Sequence, residues 1–350
     1  MYVTGLLKEK VLKRMSPTIK DVAKLAGVST ASVSRVLNSK GYVSTETRKK
    51  IEDAIKLLDY EPNEVARSLT VKKSKTIALF IPDITNPFFS TLAKGVEDYA
   101  NFRGFTLILC NYEQTGKAKK IYVDLLKQKY VDGIVFAAGV LNPEDSMKIR
   151  NSKIPMVVLD RVPDMEVDCE IRVDNYKGAK QAVEHLLNIG CRKIAHIYGP
   201  LEISTARERL KAYEDVVQDY SWYTPGLLAE GYFSIEGGIE ATRKILKKNP
   251  DIDGIFAGND MNAIGALKFL YRKGIKIPDD IAVCGYDGIS LTEITSPEIT
   301  TVVQPTYKIG SLAAEHLIHY IEHSYFREKV IKLDTNLVIR ESTKKCGVKL

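Results

Sequence analysis

From Thr76 onward, short apolar runs of strand length alternate with stretches of helical periodicity, and few architectures accommodate that pattern. The strand candidates are Thr76–Ile81, Thr106–Asn111, Gly133–Ala137, Met156–Leu159, Lys193–Tyr198, Gly254–Ala257, Ile281–Cys284 and Thr300–Val303. Helical stretches at Phe88–Arg103, Lys117–Gln128, Tyr176–Asn188 and Ile235–Lys248 separate most of them. Repeated βα units build a parallel, doubly wound sheet with helices on both faces. There are too many units for one six-stranded sheet, and the pattern restarts near Asp174, so two similar lobes are expected.

In open parallel sheets, ligands bind beyond the carboxyl ends of the strands. The residues that follow the strand candidates are therefore the candidate site. They include Asn86, Phe88 and Phe89 after the first strand, then Asp160 and Arg161 after Met156–Leu159. Arg207 lies beyond Lys193–Tyr198, and Phe233 precedes Gly237-Gly238. Asn259 and Asp260 end IFAGND, Asp287 follows VCGY, and Gln304 follows TTVV. Carboxylates accept hydrogen bonds from vicinal hydroxyls, while Arg, Asn and Gln donate to them. Aromatic faces cover the C–H surface of a sugar ring, so the set suits a small polyol. Each residue alone has a plainer role: Asn86 starts a helix, Asp260 caps one, and Asp160–Arg161 is a solvated ion pair. Seven strand ends or their flanks nevertheless agree.

The first 75 residues have a different character. They carry 16 Lys and Arg against 8 Asp and Glu, so the net charge of +7 for the whole chain resides there. A concentrated basic module on a neutral body implies a polyanion partner, most simply nucleic acid. Ile19, Val22, Ala23 and Ala26 form one apolar helical stripe that Gly27 stops. Ser29 then caps a second short helix with Val33, Val36 and Leu37 inward and Thr30, Ala31, Ser34 and Arg35 outward. A third helix starts near Ser44 and carries Ile51, Ala54, Ile55 and Leu58. Two short helices joined by a Gly-containing turn and closed by a third make a helix-turn-helix, whose second helix suits a major groove about 12 Å wide.

The wording of this block, TIKDVAKLAGVSTASVSRVLN followed by YVSTETRKKIEDAIKLLDYEPNEVARSL, closely resembles the amino-terminal module of the LacI/GalR family of transcriptional regulators. The resemblance implies that Thr30, Ala31 and Arg35 meet base edges, with Thr18, Ile19, Ser34, Asn38 and Tyr42 on backbone or flanking bases. Arg35 also has an independent case, because a guanidinium can bridge guanine O6 and N7. Ala31 replaces the larger polar residue of some members and offers only apolar contact. The core PNEVARSL resembles the family's hinge helix, which orders when two subunits meet over the minor groove. Leu69 is then the wedge at the central base step, supported by Val65, Ala66 and Arg67.

Resemblance also implies a periplasmic-binding-protein-like core whose chain crosses between lobes three times. The expected divisions are an extension at 1–17, a helix-turn-helix domain at 18–61, a hinge at 62–75 and the core at 76–345. Within the core, lobe 1 takes 76–172 and 305–325, and lobe 2 takes 173–304 and 326–343. Asn86, Phe88, Phe89, Asp160, Arg161, Arg207, Phe233, Asn259, Asp287 and Gln304 match positions that hold ribose in ribose repressors and receptors. Ala138 stands where the ribose receptor has an asparagine, which leaves another pentose or hexose open. The resemblance thus implies a homodimeric repressor that binds double-stranded operator DNA under control of a ribose-like sugar.

Two other function classes compete with this reading. A sugar-modifying enzyme with a DNA-binding appendage needs a phosphate loop or an acid/base pair, and the chain has no P-loop, nucleophile elbow or HExxH. No catalysis and no cofactor are expected. The other is a repressor answering to a purine or a partner protein. His316, His319 and His323 share a helix face, but without a Cys or carboxylate cluster at ligand spacing no metal is expected. Five scattered cysteines without a CxxC pair read as reduced thiols, no run reaches the ~20 apolar residues of a membrane span, and residues 1–17 lack a signal-peptide core. A cytoplasmic protein is expected.

Overall fold

The computed structural model describes residues 17–37, 41–60, 74–111, 131–137, 147–148, 151–160 and 167–344. The chain forms two compact units, Met1–Ser74 and Lys75–Leu350.

The first unit contains α1 (Ile19–Ala26), α2 (Thr30–Leu37) and α3 (Thr45–Leu58). Their starts and stops are local chemistry. The Thr18 backbone N–H and hydroxyl both donate to the Asp21 carboxylate, at 2.8 and 2.6 Å, reaching back over the first turn of α1. Gly27 ends α1 at φ +67°, a conformation costly for any residue with a Cβ, although the space around it is open. Ser29 and Ser44 accept from the backbone N–H groups of Ser32 and Thr47 and so start α2 and α3. Val22, Ala23, Val33, Val36, Ile51 and Ala54 fill the core between the helices, as the apolar spacing predicts.

The second unit runs β1 (Thr76–Ile81), α4 (Pro87–Phe102), β2 (Thr106–Asn111), β3 (Gly133–Phe136), β4 (Met156–Leu159) and β5 (Cys169–Val173). It continues with α5 (Asn175–Asn188), β6 (Ile194–Tyr198), α6 (Ser204–Val217), β7 (Leu228–Glu230), α7 (Ile235–Lys248), β8 (Gly254–Ala257) and α8 (Asp260–Arg272). It closes with β9 (Ala282–Asp287), β10 (Thr300–Val303), α9 (Thr306–His323), β11 (Val330–Leu333) and β12 (Asn336–Val338). The strands make two six-stranded sheets, ordered β11-β5-β4-β3-β1-β2 and β12-β10-β9-β8-β6-β7. Every pairing is parallel except β10 with β12. Two lobes and three crossings follow directly, at 174, at 304–305 and at 334–335.

The division between lobes needs one correction. The sequence reading placed 326–343 in lobe 2, yet β11 pairs in parallel with β5, from Val330 opposite Glu170 to Leu333 opposite Val173. Ile331 and Leu333 pack against the apolar core of the first sheet, so the last crossing comes after Leu333. β5, β7, β11 and β12 were not anticipated, because they are short or, like CEIRV and VIKL, interrupted by charges. The helical candidate Lys117–Gln128 lies outside the described residues.

Among the titratable groups that lobe 2 buries is His196, 0% exposed. His196 on β6 stacks between Phe256, at 4.7 Å between ring centres, and Tyr213, at 5.1 Å. Its Nδ1 lies 2.9 Å from the Phe256 carbonyl, which fixes the Nδ1–H tautomer. Burial pulls its pKa down to about 4, so it is held neutral.

Candidate functional site

A cavity of about 250 Å³ opens between the lobes, at the carboxyl ends of both sheets. Asn86, Phe88, Phe89, Asp160, Phe233, Asn259, Asp287 and Gln304 all line it. Several of these residues also start the helices that follow their strands. The Asn86 side chain accepts from the Phe88 N–H at 3.0 Å and opens α4 with Pro87 at its first position. Asn259 does the same for α8 through the Asn262 N–H at 2.9 Å. The plainer roles weighed for Asn86 and the candidate role in the cleft are therefore held together.

The aromatic wall is built by close approach. Phe88 and Phe89 meet edge to face, with centres 5.1 Å apart. The Phe233 ring lies against Gly199, where an added Cβ would fall 2.1 Å from the ring. Phe233, Tyr232, Asp160 and Asp287 line the cavity with φ of +53°, +50°, +54° and +116°. Strained backbone held at one place is the mark of a functional cleft.

The polar floor centres on Asp287, 7% exposed, and Arg209, 4% exposed. The Arg209 Nη1 donates to the Asp287 carboxylate at 3.3 Å and to the Gly258 carbonyl at 2.6 Å. Its Nε and Nη2 donate to the Asn175 side-chain oxygen at 3.0 and 2.8 Å, and Asn175 in turn donates to Asp160 at 3.0 Å. Gln304 Nε2 donates to Asp287 at 2.9 Å. Three protein segments thus hold one buried ion pair in a fixed geometry, as such a pair requires.

Arg207 corrects the sequence reading. It is exposed and donates to the Leu201 carbonyl at 2.8 Å, away from the cavity. Arg209 is two positions further on, about 200° around a helix, so the two arginines point in opposite directions. The apolar stripe Ala206, Leu210, Tyr213, Val217 marks the inward face of α6, and Arg209 flanks it. That periodicity was available in the sequence and would have chosen Arg209. Asp260 proves structural: its carboxylate accepts from the Gly288 and Ile289 N–H groups at 2.7 and 2.8 Å and from Thr301 Oγ1 at 2.6 Å. Complete burial, with Asp287 nearby, raises its pKa. Arg161 and Ala138 lie outside the described residues.

In the first unit, α2 presents Thr30, Ala31 and Arg35 to solvent, with Ser34 half-buried and no acidic side chain in its first turn. Thr18 is exposed, Ile19 half-buried, and Tyr42 is 91% exposed. Asn38, Val65, Ala66, Arg67 and Leu69 lie outside the described residues. The three histidines of α9 do not converge. His316 is buried, while the His319 and His323 rings pair at 4.6 Å and His319 Nδ1 meets the Tyr325 carbonyl at 3.1 Å. Among the described residues no group of three side chains could hold a metal ion, and no helix is long and apolar enough to cross a membrane.

Comparison with known proteins agrees with this layout. Residues 74–341 match the family of periplasmic binding proteins and the sugar binding domain of the LacI family, and residues 18–63 match the bacterial regulatory proteins of the lacI family. The chain is 42% identical to the ribose operon repressor of Halalkalibacterium halodurans, over 93% of this chain and 97% of that one. It is 35% identical to the transcriptional repressor PurR of Photobacterium profundum, over 93% and 98%. A solved LacI-family regulator from Enterococcus faecalis with bound ribose superposes with a TM-score of 0.68 at 32% identity, covering 76% of this chain and 98% of that one. With both of its modules matched and a relative of this identity along nearly its whole length, the chain belongs to the LacI family of DNA-binding transcriptional regulators, which are repressors and not enzymes.

Proposed function

We propose that this protein is a cytoplasmic, homodimeric repressor whose affinity for a near-palindromic operator falls when D-ribose occupies the cleft between its lobes. One observation carries the reading: a small cavity with aromatic walls and a floor of paired Asp287, Arg209 and Gln304. Gln304 is 4% exposed and its side-chain oxygen has no partner among the described residues, so it is a ready acceptor for a ligand hydroxyl. Asp83, Asp160 and Asp287 outnumber Arg209 among the described charged residues of the wall, which favours an uncharged polyol over a phosphate ester. The ribose operon repressor relative favours ribose over a purine, the second reading, which the PurR relative keeps as a comparison.

The deciding experiment is a gel shift on DNA upstream of the protein's own gene, with and without ribose. Ribose is expected to release the DNA. Release by hypoxanthine or guanine, with ribose inert, would overturn the choice of ligand. A ligand shifts the equilibrium only by its differential affinity for the two states, so release also requires that the DNA-bound state hold ribose more weakly.

Arg35 is proposed as the principal base reader. Arg35→Ala is expected to lower specific operator affinity by about 1–3 kcal/mol. Footprints that do not change with this substitution would remove Arg35 from the interface. The segment 62–75, with Leu69 as its wedge, is proposed as the element through which lobe movement reaches the DNA.

A further inference from the structure

The turn that carries Phe233 to the cleft is held from behind by a residue that does not line the cavity. Between β7 and α7 the chain turns through Gly231–Ser234, closed by the Ser234 N–H donating to the Gly231 carbonyl at 3.1 Å. Its two central residues, Tyr232 and Phe233, lie at φ +50° and +53°. Positive φ at both central positions is the pattern of a type I′ turn, which favours Gly, Asn and Asp over aromatic residues. Neither Tyr232 nor Phe233 favours this conformation by itself, so the surroundings must hold it. Asn262, in the first turn of α8 and 0% exposed, supplies the hold. Its Nδ2 donates to the Gly231 carbonyl at 2.7 Å and to the Ser234 carbonyl at 2.8 Å, so both amide hydrogens go to the two ends of one turn. The reversed amide would set an oxygen against two carbonyls, which fixes its orientation. Asn259 adds a longer bond, from its Nδ2 to the Phe233 carbonyl at 3.4 Å.

We propose that Asn262 is a positioning residue for the ligand: it clamps the Gly231–Ser234 turn in its left-handed form and so sets the Phe233 ring as a wall of the cleft. The Gly237-Gly238 pair lets the clamp come this close. A Cβ on Gly238 would lie 2.4 Å from the Asn262 carbonyl oxygen, and one on Gly237 1.9 Å from the Gly231 carbonyl oxygen. The start of α7 therefore packs directly on the Asn262 backbone and on the turn that its side chain holds. The far side of the Phe233 ring rests on Gly199, so the ring has a fixed seat once the turn is formed. This role rests on the proposal that the cleft binds ribose.

The test measures the ribose Kd of Asn262→Leu in the full chain by titration calorimetry. Leucine has similar size and no donors. Neither carbonyl is left without a bond, since Gly231 keeps the Ser234 N–H and Ser234 keeps the Gly238 N–H. The Kd is expected to rise by about 5- to 30-fold, the scale of one or two lost hydrogen bonds. In a Phe233→Ala background the same substitution is expected to change the Kd by less than about twofold, because the ring it positions is gone. In a Tyr232→Gly background its effect should also shrink, since glycine adopts positive φ unaided. An unchanged Kd for Asn262→Leu would overturn the proposal. Equal losses in all three backgrounds would overturn it too, because general damage to the core adds to any other change. Asn262→Ala, which cannot overpack the site, carries the same expectations should Asn262→Leu fold poorly. If the parent does not bind ribose, the ligand assignment fails and hydrogen exchange reads the turn directly. The Ser234 amide is expected to exchange about tenfold or more faster in Asn262→Leu, with the β8 amides unchanged. Equal protection of Ser234 in the two proteins would reject the clamp.

Discussion

Arg209→Met is expected to raise the ribose Kd by about 30-fold or more, the equivalent of about 2–5 kcal/mol for truncating one partner of a buried, hydrogen-bonded charge pair. Methionine fills similar volume, so the loss is of charge and donors more than of packing. Asp287 keeps Gln304 but loses its cation, and Asn175 loses both donors from the guanidinium. Arg207→Met should change the Kd by no more than about twofold, as for a surface position away from the cleft. Titration calorimetry on both variants, with a thermal melt to confirm folding, distinguishes them. Equal loss at the two positions, or loss only at Arg207, would contradict the assignment of Arg209. Lysine is a poor rescue, since a single ammonium cannot hold Asp287, Asn175 and the Gly258 carbonyl in the fork geometry of a guanidinium.

Acidification from pH 7 to pH 4 is expected to remove about 3 kcal/mol of stability through His196, at about 1.36 kcal/mol per pKa unit. Its folded pKa of about 4 lies below the ordinary 6.5 of an unfolded histidine because burial opposes the charge. The unfolded chain therefore takes the proton first as pH falls. The stabilisation is fully present above about 6.5 and is lost as pH falls through the folded pKa. Burial lowers His185 as well, which adds to the same slope. Urea unfolding of the parent and of His196→Leu at several pH values checks this. The substituted protein should be less stable at pH 7, having lost the bond to the Phe256 carbonyl, but should show a flatter dependence between pH 6.5 and 4. Parallel curves for the two proteins would show that His196 is not the titrating group.

The helix-turn-helix was legible because its determinants are local. Thr18, Gly27, Ser29 and Ser44 mark helix ends by side-chain chemistry that acts within one turn, and the apolar spacing marks the faces between them. The strand ends were legible for a similar reason: parallel strands buried on both faces read as uninterrupted apolar runs such as TIALFI and MVVL. β11 shows the limit of that signal. VIKL at a sheet edge looks like any exposed segment, and its place beside β5 is set by a partner some 160 residues away in the chain.

The sequence by itself determined the basic module, the two-lobed parallel architecture and the ring of polar and aromatic residues at the strand ends. Each follows from patterns read within a few residues. Only the tertiary structure decided that Arg209 enters the cleft while Arg207 leaves it, and that Asp260 serves the loop after β9. Those outcomes depend on which segments meet in space and on how much water they exclude. The energies of buried charges and of close contacts are set by that environment, so identical residue types two positions apart acquire opposite roles.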